Sequence, residues 1–142
     1  IDAHAHRAAL AGSTGEGPAT LAVLAGGLDR DYPAGNADLA AAIRGNGLTL
    51  SELPPGSAPT RHRFLQRNRI MAALAGVTCV VEARWRSGAL NTAHHAETIA
   101  RHVAAVPGSV HSANSAGCHR LLKEGAAVLV SDAAELAELL AD

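Results

Sequence analysis

Five short runs rich in apolar and β-branched residues recur along the chain, and each is followed by a helical pattern. The runs are TLAVLAG (20–26), LTLSEL (48–53), VTCVVEA (77–83), HVAAVPG (102–108) and AAVLVSD (126–132). Several are almost continuously apolar, as strands covered on both faces must be. Helices are predicted at about 36–45, 62–75, 88–100, 115–123 and 133–141. Strand–helix alternation at this spacing requires right-handed crossovers between parallel strands. The expected fold class is therefore α/β: a doubly wound, mostly parallel sheet with helices on both faces. Asp132-x-x-Glu135 would box the start of the last helix, and Gly125 would stop the one before it. At 142 residues the chain is expected to form a single domain over 1–142, with GSTGEGPAT (12–20) as a surface loop.

The first residues test this reading. IDAHAHRAAL holds Asp2-x-His4-x-His6, which resembles the D-x-H-x-H at the end of the first barrel strand of metal-dependent amidohydrolases. Two imidazoles at i and i+2 converge on one ion only from extended backbone, because strand side chains alternate while helical ones diverge. DAHAHRAALAG is rich in Ala, ends in Gly12 and lacks the Val and Ile of the five runs. A helix is predicted there, with His4 and His6 on different sides and no metal site. The chain is also well short of the roughly 250 residues of such a barrel.

No apolar run approaches the roughly 20 residues that span a bilayer, and no stretch resembles a signal peptide. Cys79 and Cys118 fit neither zinc nor C-x-x-C spacing; Cys79, inside an apolar run, is expected to be a small core residue. A reduced, cytoplasmic setting is expected, with no membrane partner. Net charge is −1, and eleven Arg against one Lys, beside abundant Ala, is read as GC-rich coding rather than function.

The distribution of charge says more than its total. In open α/β sheets ligands bind at the carboxyl ends of the strands. Here those loops are 26–36, 51–64, 82–93 and 107–119, with Ser131-Asp132. Residues 54–87 carry Arg61, Arg63, Arg67, Arg69, Arg84 and Arg86 against Glu82 alone, a net of +5 that leaves −6 for the rest. A basic island on an acidic chain is the one-dimensional form of an anion-tracking groove; the alternative is a solvated arginine-rich helix face. Of only three aromatics, Tyr32, Phe64 and Trp85, two lie in the island, Phe64 in RHRFLQRNR and Trp85 in RWR. Rings beside guanidinium groups let bases stack while phosphates are neutralised, which holds single strands without sequence readout. Ser87-Gly88 would open a helix whose free N–H groups can take a phosphate, with Ser87 as N-cap and Thr92 about one turn in. SANSAGCH offers a second such start.

Catalytic constellations are not found. There is no G-x-x-x-x-G-K-[ST] and no complete G-x-G-x-x-G. His94 and His95 face different ways on a helix. His102, His111 and His119 lack partners at ligand spacing, and no nucleophile–base pair is evident. Neither an enzyme nor a cofactor is expected. Two other readings stay open: a Rossmann-like phosphoribohydrolase-like enzyme, whose P-G-G-x-G-T loop has only a partial echo in Val106-Pro107-Gly108-Ser109, and a module whose arginines meet an acidic protein.

Taken together, IDAHAHRAAL, VLAGGLDRDYPAGNADLAAAI, LSELPPG, RHRFLQRNRIMAALAG, VVEARWRSGALNTAHHA, VAAVPG and SAGCHRLLKEGAAVLV resemble the DNA-processing protein A family (DprA, also called Smf). They run in family order over essentially the whole chain. The resemblance implies a Rossmann-like domain that binds single-stranded DNA in DNA uptake and natural transformation, acts as a homodimer and hands strands to the RecA recombinase, without known catalysis. It places strand-binding positions at Arg61 and Phe64, at Arg67, Asn68 and Arg69, and at Ser87 and Gly88. It also implies that a strand and a Gly-rich turn precede IDAHAH in the family, so that this chain is expected to lack them, together with the family's C-terminal winged-helix module.

Overall fold

The computed structural model describes residues 1–141. The chain divides into two compact units, Ile1–Arg67 and a second running from Asn68 onward. The α/β class and the parallel pairing are those the alternation predicts. The pairing is confined to two ladders, β1–β2 in the first unit and β3–β4–β5 in the second, and each strand is only two to four residues long.

In the first unit α1 (Asp2–Ala11) confirms that DAHAH is helical. It leads through a loop to β1 (Leu21–Val23), then α2 (Ala37–Asn46) and β2 (Leu48–Leu50). β1 and β2 pair in register from Leu21↔Leu48 to Val23↔Leu50. Ala22 of β1 and Leu39 and Ile43 of α2 form the core, and Ala3 and Leu10 of α1 pack against it. Leu39 and Ile43 lie one helical turn apart, so a single stripe of α2 is buried. α3 (Arg61–Leu74) starts in this unit and crosses into the next.

The second unit continues with β3 (Val77–Val80), α4 (Gly88–Thr98), β4 (His102–Ala105), α5 (Ala116–Lys123), β5 (Val128–Leu129) and α6 (Ala133–Ala141). Registers are Val77↔His102 and Ala104↔Val128. Its core is made of small side chains: Ala72, Ala83, Ala93, Ala96 and Ala105, with Val80, Val103, Cys118 and Leu121. The Ala-rich composition thus lets helices approach the sheet closely, and close-packed interiors of this kind leave little room for added volume. Cys118 is the largest fully buried side chain, whereas Cys79 is only half-buried. The expected core cysteine is therefore a correction: Cys118 packs against β3, its Sγ 3.4 Å from the Val80 carbonyl.

Helix ends explain the loop positions. α5 stops in a Schellman motif, with Ala126 N–H donating to Leu121 O at 3.0 Å and Gly125 N–H to Leu122 O at 3.2 Å, and Gly125 takes the φ of 69° that the motif demands. α4 stops the same way through Arg101 N–H to Ala96 O and Ala100 N–H to Glu97 O. There the left-handed residue is Ala100, φ 55°. At α6 Asp132 Oδ1 accepts from Glu135 N–H at 2.9 Å, and Glu135 reaches back to Ser131 N–H at 2.7 Å. The predicted box closes, one residue further upstream than expected.

Candidate nucleic-acid interface

In the first unit the site is built on the loop that leaves the carboxyl end of β1. Gly26 and Gly27 press this loop onto residues 51–60. Gly27 N–H donates to Ser57 O at 2.9 Å, Ser51 Oγ–H to Gly26 O at 2.7 Å, and Gly56 N–H to both oxygens of Asp29 at 2.8 and 2.9 Å. A Cβ on Gly26 would lie 2.9 Å from Ser57 O, and one on Gly27 would lie 2.8 Å from Pro54 O. Only glycine permits backbones this close. Further along the loop, Asp31 pairs with Arg44 of α2 at 2.6 Å, and this bond raises the pKa of the Arg44 guanidinium.

Between these loops and the first turns of α3 is a pocket of about 50 Å³, lined by Leu24, Ala25, Gly26, Arg30, Tyr32, Pro59, Phe64 and Arg67. By the measure in which one water needs roughly 10–15 Å³, it has room for a phosphate-sized group. Phe64 forms one wall. The Tyr32 ring stands 5.7 Å from it at 53°, and the Arg67 guanidinium lies 5.3 Å from its centroid. Arg67 also donates from Nη1 to Val23 O, the last carbonyl of β1. Burial lowers its pKa, and the charge of Asp2 works the other way. Arg61 is exposed at the start of α3, and Arg63 donates to Ala58 O, which fixes the entry to the helix.

In the second unit the residues collect on the segment between β3 and α4. Ala83 N–H donates to Asn114 O at 2.8 Å, and Gly117 N–H of α5 to Ala83 O at 2.7 Å. Arg84 Nε–H meets Asn114 Oδ1 at 3.0 Å. Trp85 is 58% exposed, with the Arg120 guanidinium 5.1 Å from its centroid. Arg86 is exposed. Ser87 caps α4, its Oγ accepting from Ala89 N–H at 3.2 Å, and Gly88 is exposed beside it.

The structure does not bring every predicted site residue to a surface. Asn68 and Thr92 are buried. The Asn68 amide donates to Gly88 O at 3.3 Å and Asn91 Oδ1 at 3.2 Å, so it fixes the first turn of α4. Arg69 is exposed on α3. Conversely, Arg30, Tyr32, Asn114 and Arg120 belong to the two clusters and were not singled out by charge and spacing. Tyr32 carried a usable signal, being one of three aromatics and lying in a strand-end loop.

Among the described residues no group of three or more His, Cys, Asp or Glu is placed to hold a metal ion, and no helix is long and apolar enough to cross a membrane. Residues 1–141 match the family model for DNA recombination-mediator protein A. The chain belongs to the DNA recombination-mediator protein A family. A putative DNA processing protein DprA of Mycobacterium tuberculosis is 54% identical over 140 residues, covering 99% of this chain and 35% of that protein. DNA processing protein DprA of Streptococcus pneumoniae is 44% identical over 138 residues, covering 97% of this chain and 48% of the relative. A crystal structure of the pneumococcal protein superposes with a TM-score of 0.84 at 42% identity, over 97% of this chain and 47% of that one. DNA processing protein A of Helicobacter pylori, described with a single-stranded DNA binding mode, superposes with a TM-score of 0.80 at 29% identity, over 87% of this chain and 57% of that one. The chain thus spans about a third to a half of the length of the curated family members it matches.

Proposed function

We propose that this chain is a single-stranded-DNA-binding part of a DNA-processing protein and carries out no chemical step itself. One observation carries the reading: none of the three aromatic rings belongs to a core cluster, and two of them, Phe64 and Trp85, each lie beside a guanidinium group. Phe64 is under Arg67 and against Tyr32, and Trp85 is under Arg120. A folded domain normally buries most of such large apolar surface. Rings kept out of the core next to cations suit unpaired bases with their phosphates. The single-stranded-DNA binding described for the Helicobacter pylori relative agrees with this. In the same reading the parent protein works in the cytoplasm during DNA uptake and natural transformation, as a homodimer that passes strands to the RecA recombinase.

The test is fluorescence anisotropy of a labelled oligo-dT titrated with this chain at two salt concentrations. With three to four phosphates neutralised, affinity should fall about 20- to 50-fold between about 50 and 200 mM salt, at a slope near −0.7 per phosphate. A binding curve that does not move with salt, or no binding by a sample whose circular dichroism shows it folded, refutes the reading.

A further inference from the structure

The second unit holds an exposed aromatic ring paired with a guanidinium from a distant segment. Trp85 stands in a short segment with 58% of its surface open. Its partner is Arg120, 35 residues away on α5, with the guanidinium 5.1 Å from the ring centroid. Arg120 is itself held, since its Nε–H meets Glu124 Oε1 at 2.9 Å one turn along the helix. The segment before Trp85 is fixed by Asn114 to Ala83 and Arg84 and by Gly117 to Ala83, and Ser87 N–H donates to Arg84 O at 3.0 Å across it. A ring this exposed yet this well anchored gains little for the fold, because burying it would have been worth more.

We propose that Trp85 and Arg120 form a stacking platform for one unpaired nucleobase of a single-stranded nucleic acid, with Arg120 as the residue that sets it up. This rests on the strand-binding reading above and deepens it. The guanidinium lies over the indole, and the exposed part of the ring is available to a base. Arg84, whose Nε is bound to Asn114, and Arg86 are exposed and adjoin Trp85 in sequence, and they would supply charge for the phosphates. Glu124 offsets part of the Arg120 charge, so Arg120 orients the indole more than it attracts the strand. A duplex cannot use the platform, because its bases are stacked and paired. The expected ligand is therefore a single strand of any sequence, since every base offers a π-face.

Trp85 is the only tryptophan, so its own emission reports the contact. The experiment titrates the whole chain with unlabelled oligo-dT while following indole fluorescence, and runs anisotropy of labelled oligo-dT in parallel. Stacking should quench Trp85 in step with the anisotropy curve, and the matching duplex should leave the emission unchanged. Trp85→Ala should weaken binding about 5- to 150-fold, the equivalent of one lost base stack. Trp85→Phe should recover most of that loss, and Arg120→Gln should weaken binding by a smaller factor while shifting the emission of the free protein. If anisotropy reports binding but the emission stays flat, or Trp85→Ala binds like the parent chain, the platform is refuted and the strand-binding reading stands. If anisotropy reports no binding by the folded chain, both are refuted.

Discussion

Gly117→Ala is a substitution that the structure penalises and that Trp85 can report. The added methyl would sit 2.7 Å from Ala83 Cβ, 2.8 Å from Ala83 O and 2.8 Å from Arg84 O. Two of these neighbours are backbone carbonyls with no rotamer to change. To restore ordinary contact near 3.5 Å, α5 or the β3–α4 segment must move by roughly 0.7 Å. Overpacking of this kind typically costs about 1–3 kcal/mol. The shift also stretches the 2.7 Å bond from Gly117 N–H to Ala83 O, worth about 1 kcal/mol more. A total of about 2–4 kcal/mol should lower the melting temperature by roughly 10 °C. Thermal unfolding followed by circular dichroism reads the global loss. Because Trp85 lies on the displaced segment, its emission before unfolding should differ from that of the parent chain. A variant that melts within about 2 °C of the parent with unchanged emission would show that the close approach at Gly117 has been misjudged.

Two substitutions should act in the opposite sense. Ala100→Gly relieves a left-handed alanine that costs about 1–2 kcal/mol and should stabilise by up to about 1 kcal/mol after the unfolded chain's gain in freedom; Gly45→Ala, on an open face of α2, should do so by about 0.5–1 kcal/mol. Urea unfolding measures both, and a lower midpoint for either contradicts the helix-end or helix-face geometry. Phe64→Ala should cost about 1–3 kcal/mol of oligo-dT affinity with little change in unfolding midpoint, so an equal loss in both would make Phe64 a structural residue. Burial pushes both thiols up, Cys79 and Cys118 alike. Near pH 8 the thiolate fraction of each is therefore below that of a free cysteine, and native labelling by a disulfide reagent should be slow. Cys118, with no exposed surface, should react only on unfolding; fast labelling of both would refute the packing.

The elements were legible because they depend on local pattern. Apolar runs flanked by glycine gave all five strands, and alanine-rich stretches with capping residues gave the helices, to within one or two residues for most boundaries. Residue roles within elements were harder. Asn68 was grouped with its arginine neighbours, yet it shares a helical face with Ala72 four residues on, and that face is buried. Thr92 and Ala96 repeat the pattern on α4. The four-residue spacing to a buried alanine was the available signal. Cys79 was misplaced because a three- or four-residue strand in an apolar run does not reveal which face is inward. Arg120 could not have been found, since its contact with Trp85 joins two segments 35 residues apart and depends on how α5 packs.

The fastening of the loop after β1 onto residues 51–60 has an evolutionary consequence. Ser51 and Asp29 supply its side-chain hydrogen bonds, and at Ser57 the bond is to a main-chain carbonyl, which any residue supplies. Ser57 can therefore change in sequence without altering the shape of the rim, whereas Gly56 beside it is held to glycine by its φ of 84°. Gly26 and Gly27 have no such latitude, because any side chain there meets a carbonyl. Mutational intolerance is concentrated at glycines that present no chemistry to a ligand, while residues such as Tyr32 and Phe64 remain free to retune what the pocket prefers.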